Sequence, residues 1–187
     1  MGKKYKGKYR GSSTRLQNWD YGWNASYFIT VNTKYRICHF GHIENGEMQL
    51  TGAGYIALEY WNEIPIHFPF VNLGAFVIMP DHIHGIISIQ KKQPHRKDTG
   101  NIYKTITNKG NSCLTLGQIR FQNQGKGTLS SIVGSYKSVV TKNIRLLVPD
   151  FAWQPRFHDS IIRDPRSYRA ITKYIENNPK KWKDPIL

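Results

Sequence analysis

Cysteine is scarce in this sequence. The two residues, Cys38 and Cys113, stand far apart with no paired spacing, which excludes a recognisable zinc or redox motif. Each is expected to be a buried, reduced thiol. Acidic residues are also few: 12 Asp plus Glu face 27 Lys plus Arg, a formal net charge of +15. No apolar run is long enough for a spanning helix, and no signal peptide with an apolar core is present, so no membrane is expected and the cytoplasm is the expected address. No internal repeat is present.

What is there fits one compact domain. The chain has 187 residues, 39% of them hydrophobic and 13% aromatic, enough for a single core. A positive surplus of this size concentrates polyanions around the molecule, so nucleic acid is the expected partner. Residues 1–24 form a basic N-terminal arm beginning MGKKYKGKYR. The domain then runs over 25–187, with a flexible insertion at about 91–127 that is rich in Lys, Asn, Gln, Thr and Gly and lacks periodicity.

Within the domain, the β-branched and aromatic run from Ala25 to Thr33 predicts a strand. Ile37 to Ile43 and Glu47 to Leu50 flank Asn45-Gly46, a hairpin signal. Thr51 is placed to cap a helix that Pro65 ends, with Ile56, Ala57, Tyr60 and Trp61 on one face. Two paired strands are expected around Pro80-Asp81. Thr128 begins a second helix, whose Lys137, Lys142 and Arg145 are available to solvent or phosphate. Asp164 caps a third helix, with Pro165 at its first position, running through Tyr174 to Asn178-Pro179. Val148 to Phe157 reads as irregular. Strands and helices in this order predict an α+β domain, an antiparallel sheet with helices packed on it.

His82-Ile83-His84 carries the sharpest chemistry. On a strand, residues two apart share a face, so both imidazoles project together, and two neutral imidazoles side by side make a natural metal pair. Two packed or surface histidines are the commoner meaning of such a pattern. Tyr174 and Asn178 are four apart and so lie on one stripe of the third helix. A tyrosine hydroxyl beside a metal can attack phosphorus, and an amide oxygen can serve as a hard ligand. On spacing alone, a Tyr174 packed in the core with Ile171 and Ile175 is the commoner meaning.

Several stretches in order resemble one family. VIMPDHIHGIISI, Val77 to Ile89, resembles the His-hydrophobe-His signature of the HUH-type single-tyrosine transposases of small bacterial insertion sequences, and most of all their REP-associated tyrosine transposase relatives. Ser13 to Tyr21, Ser131 to Lys142 and Trp153 to Trp182 resemble the family's opening segment, middle helix and final segment. The last contains the nucleophile's Tyr-Ile-x-x-Asn-Pro pattern, here Tyr174 to Pro179. The likeness spans nearly the whole chain except about Lys91 to Gly127.

This resemblance implies a ferredoxin-like or RRM-like sheet. It implies His82 and His84 as ligands of a divalent metal, Mg²⁺ or Mn²⁺, with Asn178 at the third ligand's place and Tyr174 as nucleophile. The implied activity is cleavage and rejoining of single-stranded or hairpin DNA through a 5′-phosphotyrosine. The insertion-sequence branch is dimeric, a homodimer whose tyrosine can serve the partner's metal site, whereas the REP-associated branch is monomeric. Further DNA contacts are expected at Lys137, Lys142, Arg156 and Arg163, which suit phosphates, and at Trp153, which suits an unpaired base, although a core aromatic before Pro155 is the commoner meaning. A non-catalytic protein that binds DNA hairpins on the same fold is the alternative reading.

Overall fold

The structure is a computed structural model that describes residue 16, residues 19–92 and 127–182, and the backbone of two paired short strands, β1 (Lys4–Tyr5) and β2 (Lys8–Tyr9). Cys113 and most of the insertion expected at about 91–127 lie outside the described residues. Residues 19–24, assigned above to the arm, are built into the domain. The Trp19 indole N–H donates to the Tyr27 hydroxyl, and the Tyr21 carbonyl accepts from the backbone N–H of Leu129.

The elements after the arm are β3 (Ala25–Asn32), β4 (Gly41–Glu44), β5 (Glu47–Leu50), α1 (Gly52–Asn62), α2 (Ile64–His67), β6 (Val71–Met79), β7 (His82–Ile89), α3 (Leu129–Ile144), β8 (His158–Ile162) and α4 (Pro165–Glu176). β6, β7, β3 and β8 form one sheet in that spatial order, every pairing antiparallel. Taken in chain order, β3, α1, β6, β7, α3 and β8 make the β-α-β-β-α-β sequence of a ferredoxin-like fold, as expected. β8, which completes it, was not foreseen: its five residues, HDSII, hold too little apolar alternation to stand out.

Alternation along β3 and β7 gives the sheet two different faces. Tyr27, Ile29, Val31, Ile83 and Ile87 point into the main core beneath α1 and α3, where Trp61 and Tyr136 are also buried. Gly85 lets the sheet approach α1, because a Cβ there would lie 2.3 Å from the Trp61 ring. The other face carries Phe28, Thr30, His84 and Ile86. It is covered by α4, whose Ile175 is buried against Ile86 and Ile162 with Ile171 and Tyr168 beside them. α1 and α3 therefore build the core, while α4 closes over the face that bears the histidines.

Local capping follows the sequence closely. The Thr51, Thr128 and Asp164 side chains accept from the N–H of Gly54, Ser131 and Ser167 at the starts of α1, α3 and α4. Asn45 and Gly46 both have positive φ, as a two-residue hairpin turn requires. Three expectations need correction. The strand expected from Ile37 begins only at Gly41, because a 3-10 turn at Lys34–Arg36 precedes it. Pro65 opens α2 after α1 has ended at Asn62, since proline suits a first helical turn. Cys38, expected buried, is exposed. Among the described residues no helix is long and apolar enough to cross a membrane.

Candidate active site

The turn at Pro80-Asp81 leads into β7 and places His82 and His84 on the face beneath α4. Their Nε2 atoms are 3.0 Å apart, and both residues are buried. Each Nδ1 is held from behind. His82 Nδ1 lies 2.6 Å from the Asp81 carboxylate, which can only accept, so this nitrogen carries a proton and, in the neutral ring, Nε2 holds the lone pair. His84 Nδ1 lies 2.8 Å from the Thr30 hydroxyl, the residue paired with it across the sheet. A hydroxyl donates or accepts, so Thr30 can hold His84 in either tautomer.

Asp81 is itself 1% exposed and anchored on its other oxygen by Arg36 Nε at 2.6 Å; the same guanidinium donates to Asn32 Oδ1 at 2.7 Å. Arg36 reaches in from a turn where both Tyr35 and Arg36 have positive φ. Burial, reinforced by the neighbouring His82, lowers His84 to about 3. His84 is therefore neutral near pH 7, with the lone pair of one ring nitrogen available.

That shift makes a stability prediction. The neutral ring is favoured in the folded state and the ordinary imidazole value, 6.5, applies to the unfolded chain. His84's contribution is complete above about pH 6.5 and is lost as pH falls towards 3. Unfolding free energies from urea titrations are expected to be level above pH 6.5 in this respect and to fall below it, by roughly 1 kcal/mol per pH unit. His84→Gln should flatten that slope.

α4 supplies the third group. The Tyr174 hydroxyl lies 3.4 Å from His84 Nε2, and its ring meets those of His84 and Phe28 edge-on. The residue is 46% exposed, whereas Ile175 next to it is fully buried. Helical geometry thus sends Ile175 into the sheet and leaves Tyr174 at the rim, with its hydroxyl turned to the imidazole pair.

The other expected residues divide. Asn178 lies just past α4, beyond its C-cap Asn177, and stands at the N-cap of the 3-10 turn that follows; among the described residues no hydrogen bond joins its side chain to the histidines. Trp153 is a core residue, 9% exposed, packed against Phe40, Tyr136 and Phe151 with its indole N–H donating to the Lys137 carbonyl. Lys137, expected to be available to solvent or phosphate, instead donates from Nζ to the Gln154 and Arg156 carbonyls at 2.9 Å, and burial lowers its pKa. Lys142 and Arg156 are exposed. Arg163 follows the far end of β8, where Ile162 pairs with Ser26, well away from the row containing Thr30 and His84.

Sequence reasoning passed over Asp81, Thr30, Arg36 and Trp182, whose ring lies 5.9 Å from that of His82. Asp81 had a visible signal, an acid adjoining a candidate ligand. The others come from remote parts of the chain. His158 shares the cross-strand row of Thr30 and His84 and is exposed at its edge.

The donor set suits a divalent metal. It offers two neutral imidazole nitrogens that converge, each fixed through its other nitrogen, as ligating histidines usually are. Their 3.0 Å separation matches adjacent ligand positions around an ion bound at about 2.1 Å. Among the described residues no group of three or more His, Cys, Asp or Glu is arranged for a metal, so the remaining donors would have to be oxygens of another kind.

The fold defines a structural class. A solved REP-associated tyrosine transposase bound to a REP hairpin superposes with a TM-score of 0.58 and 21% identity, over 91% of this chain and 74% of that one. In sequence, an uncharacterized protein of Haemophilus influenzae is 37% identical over 177 residues, 94% of this chain and 91% of that protein, and the chain belongs to the same family. No family model matches it.

Proposed function

We propose that this protein is a transposase-like single-stranded DNA endonuclease and strand transferase, with Tyr174 as nucleophile and His82 and His84 as ligands of Mg²⁺ or Mn²⁺. The observation that carries this reading is the convergence of three side chains: two Nε2 atoms 3.0 Å apart with the Tyr174 hydroxyl 3.4 Å from one of them. A core histidine pair has no need of a half-exposed phenol aimed at it. The shared fold with a REP-associated tyrosine transposase and the charge of +15 agree with a DNA substrate.

Asn178 remains the proposed third ligand, on the resemblance of its segment. When bound, the ion would neutralise a non-bridging phosphate oxygen and make the nearby phenol a better nucleophile. The chain's own residues do the rest. Asp81 and Thr30 hold the two imidazoles in orientation. The buried stripe of α4 fixes Tyr174 at the rim, where a strand can reach it. The Tyr174 oxygen forms a bond to phosphorus as the bond from phosphorus to the 3′ oxygen breaks; the phenol loses its proton and the departing 3′ oxygen gains one. The products are a 5′-phosphotyrosine and a free 3′-hydroxyl. Attack by another 3′-hydroxyl reverses the step and joins strands without ATP, because the ester conserves the bond.

The test is incubation of the protein with end-labelled single-stranded and hairpin oligonucleotides in Mg²⁺ or Mn²⁺. A covalent complex is expected, mapping to the peptide that contains Tyr174. Tight DNA binding with no covalent complex in either metal would favour the non-catalytic reading.

Asp81 gives a second prediction. The Asp81→Asn amide loses its charge and must compete for the His82 proton, so Mn²⁺ affinity measured by electron paramagnetic resonance should fall about 10–100-fold. Nitrogen-15 spectra of His82 in the metal-free protein should at the same time lose the single Nδ1–H tautomer.

A further inference from the structure

A concave groove of about 730 Å³ runs between α3 and the segment 153–157 that leads into β8. It lies on the helix layer, not on the face that bears His82 and His84. Lys142, Arg145 and Arg156 line it, and Gly134 and Ser138 contribute small side chains to its wall. Among the described residues no hydrogen bond or ion pair engages the charged end of Lys142 or Arg156. Arg145 uses only Nε, on the Phe151 carbonyl. No Asp or Glu lines the groove. Among the described residues, three cations thus face a common concavity without a counter-charge.

Two details set this groove apart from a merely basic surface. Arg156 has φ of 68° and is held there because the Lys137 ammonium bonds the carbonyls of Gln154 and Arg156 together. Lys137 therefore spends its charge on shaping the wall that presents Arg156. The same wall adjoins the candidate active site: the Gln154 N–H donates to the Asn32 carbonyl, and the Asn32 amide, which donates to the Gln154 side chain, also receives Arg36, the partner of Asp81. Asn32 is paired with His82 in the sheet. The wall of the groove is thus linked through Asn32 and Arg36 to the residues behind His82.

We propose that this groove binds the phosphodiester backbone of the same DNA whose scissile phosphate enters the site at Tyr174, with Lys142, Arg145 and Arg156 as its phosphate contacts. The inference rests on the DNA-processing reading above and adds to it where the uncut part of the strand is held. Phosphates spaced along a chain can engage all three cations at once, which a single small anion cannot.

The experiment measures binding of a fluorescent single-stranded oligonucleotide of about 20 nucleotides by anisotropy, in a chelator, so that no cleavage is required and the result is independent of the covalent reading. Lys142→Ala, Arg145→Ala and Arg156→Ala together should weaken binding about tenfold or more at 0.1 M salt. They should reduce the slope of log K against log salt by about 2, at 0.7 per lost contact. Removing three exposed cations elsewhere, by Lys92→Ala, Arg166→Ala and Arg169→Ala, should change both far less. Gly134→Leu tests shape without charge. A Cβ at Gly134 meets nothing within 4 Å, so the variant should fold with unchanged or raised thermal stability, yet bind the oligonucleotide several-fold more weakly. Equal losses in the two triple variants, or wild-type binding by Gly134→Leu, would overturn the proposal. So would complete competition by millimolar inorganic pyrophosphate, which would make the groove a small-anion site.

Discussion

Replacing Tyr174 with phenylalanine is expected to abolish the covalent protein–DNA complex and to lower strand cleavage by a factor on the order of 10⁴ or more, the scale of losing a nucleophile. Oligonucleotide binding should stay within about twofold of wild type. The substitution removes one oxygen, and that oxygen makes no contact that the fold requires: its partner is His84 at 3.4 Å, and the residue is 46% exposed. Its ring packing against Phe28 is retained by phenylalanine. Unfolding midpoints should therefore match, which separates a chemical loss from a structural one. Formation of the complex by Tyr174→Phe at the wild-type rate would remove the nucleophile assignment. The remaining tyrosines would then have to be searched, with Tyr168 on the same helix first among them.

The second large effect is expected from His82→Ala with His84→Ala. Cleavage should fall by about two to three orders of magnitude, because Lewis-acid stabilisation of the transferring phosphate is worth several kcal/mol and each 1.36 kcal/mol is about tenfold. Added Mn²⁺ should restore little of it. Here the fold is less indifferent. Both side chains are buried, and Asp81 would lose the partner on one oxygen while keeping Arg36 on the other. The doubly substituted protein should therefore be checked by circular dichroism. His84→Gln alone, which keeps a polar group beside Thr30, is the milder companion. If cleavage in the double variant equals that of the wild type, the imidazole pair has no part in the reaction.

These two predictions depend on different kinds of knowledge. That His82 and His84 share a face followed from their spacing on a strand, and β7 realises it. Spacing alone favoured a core position for Tyr174, yet the residue is 46% exposed. α4 settles its position, because Ile175 and Ile171 compete for the apolar face and win, which turns the phenol outward. Trp153 went the opposite way. An aromatic beside basic residues suited base stacking, but Thr33 pairs with it across an isolated bridge and Phe40 and Phe151 enclose it. Asn178 was placed by helical period, and the helix ends before it.

The sequence by itself determined the α+β class, the three long helices with their capping residues, the Asn45-Gly46 turn and the paired imidazoles. All of these are encoded within a few residues, through capping hydrogen bonds, positive φ and the two-residue period of a strand. Only the tertiary structure decided which face of the sheet α4 covers and that β8 completes the sheet. It also decided that Asp81, Arg36 and Thr30 stand behind the histidines and that Lys137 is tied to carbonyls while Lys142, Arg145 and Arg156 open into a groove. Apart from Asp81, which adjoins His82, each of those depends on residues brought together from other parts of the chain. Burial of apolar side chains sets the arrangement, and no local pattern records which partner a side chain will meet.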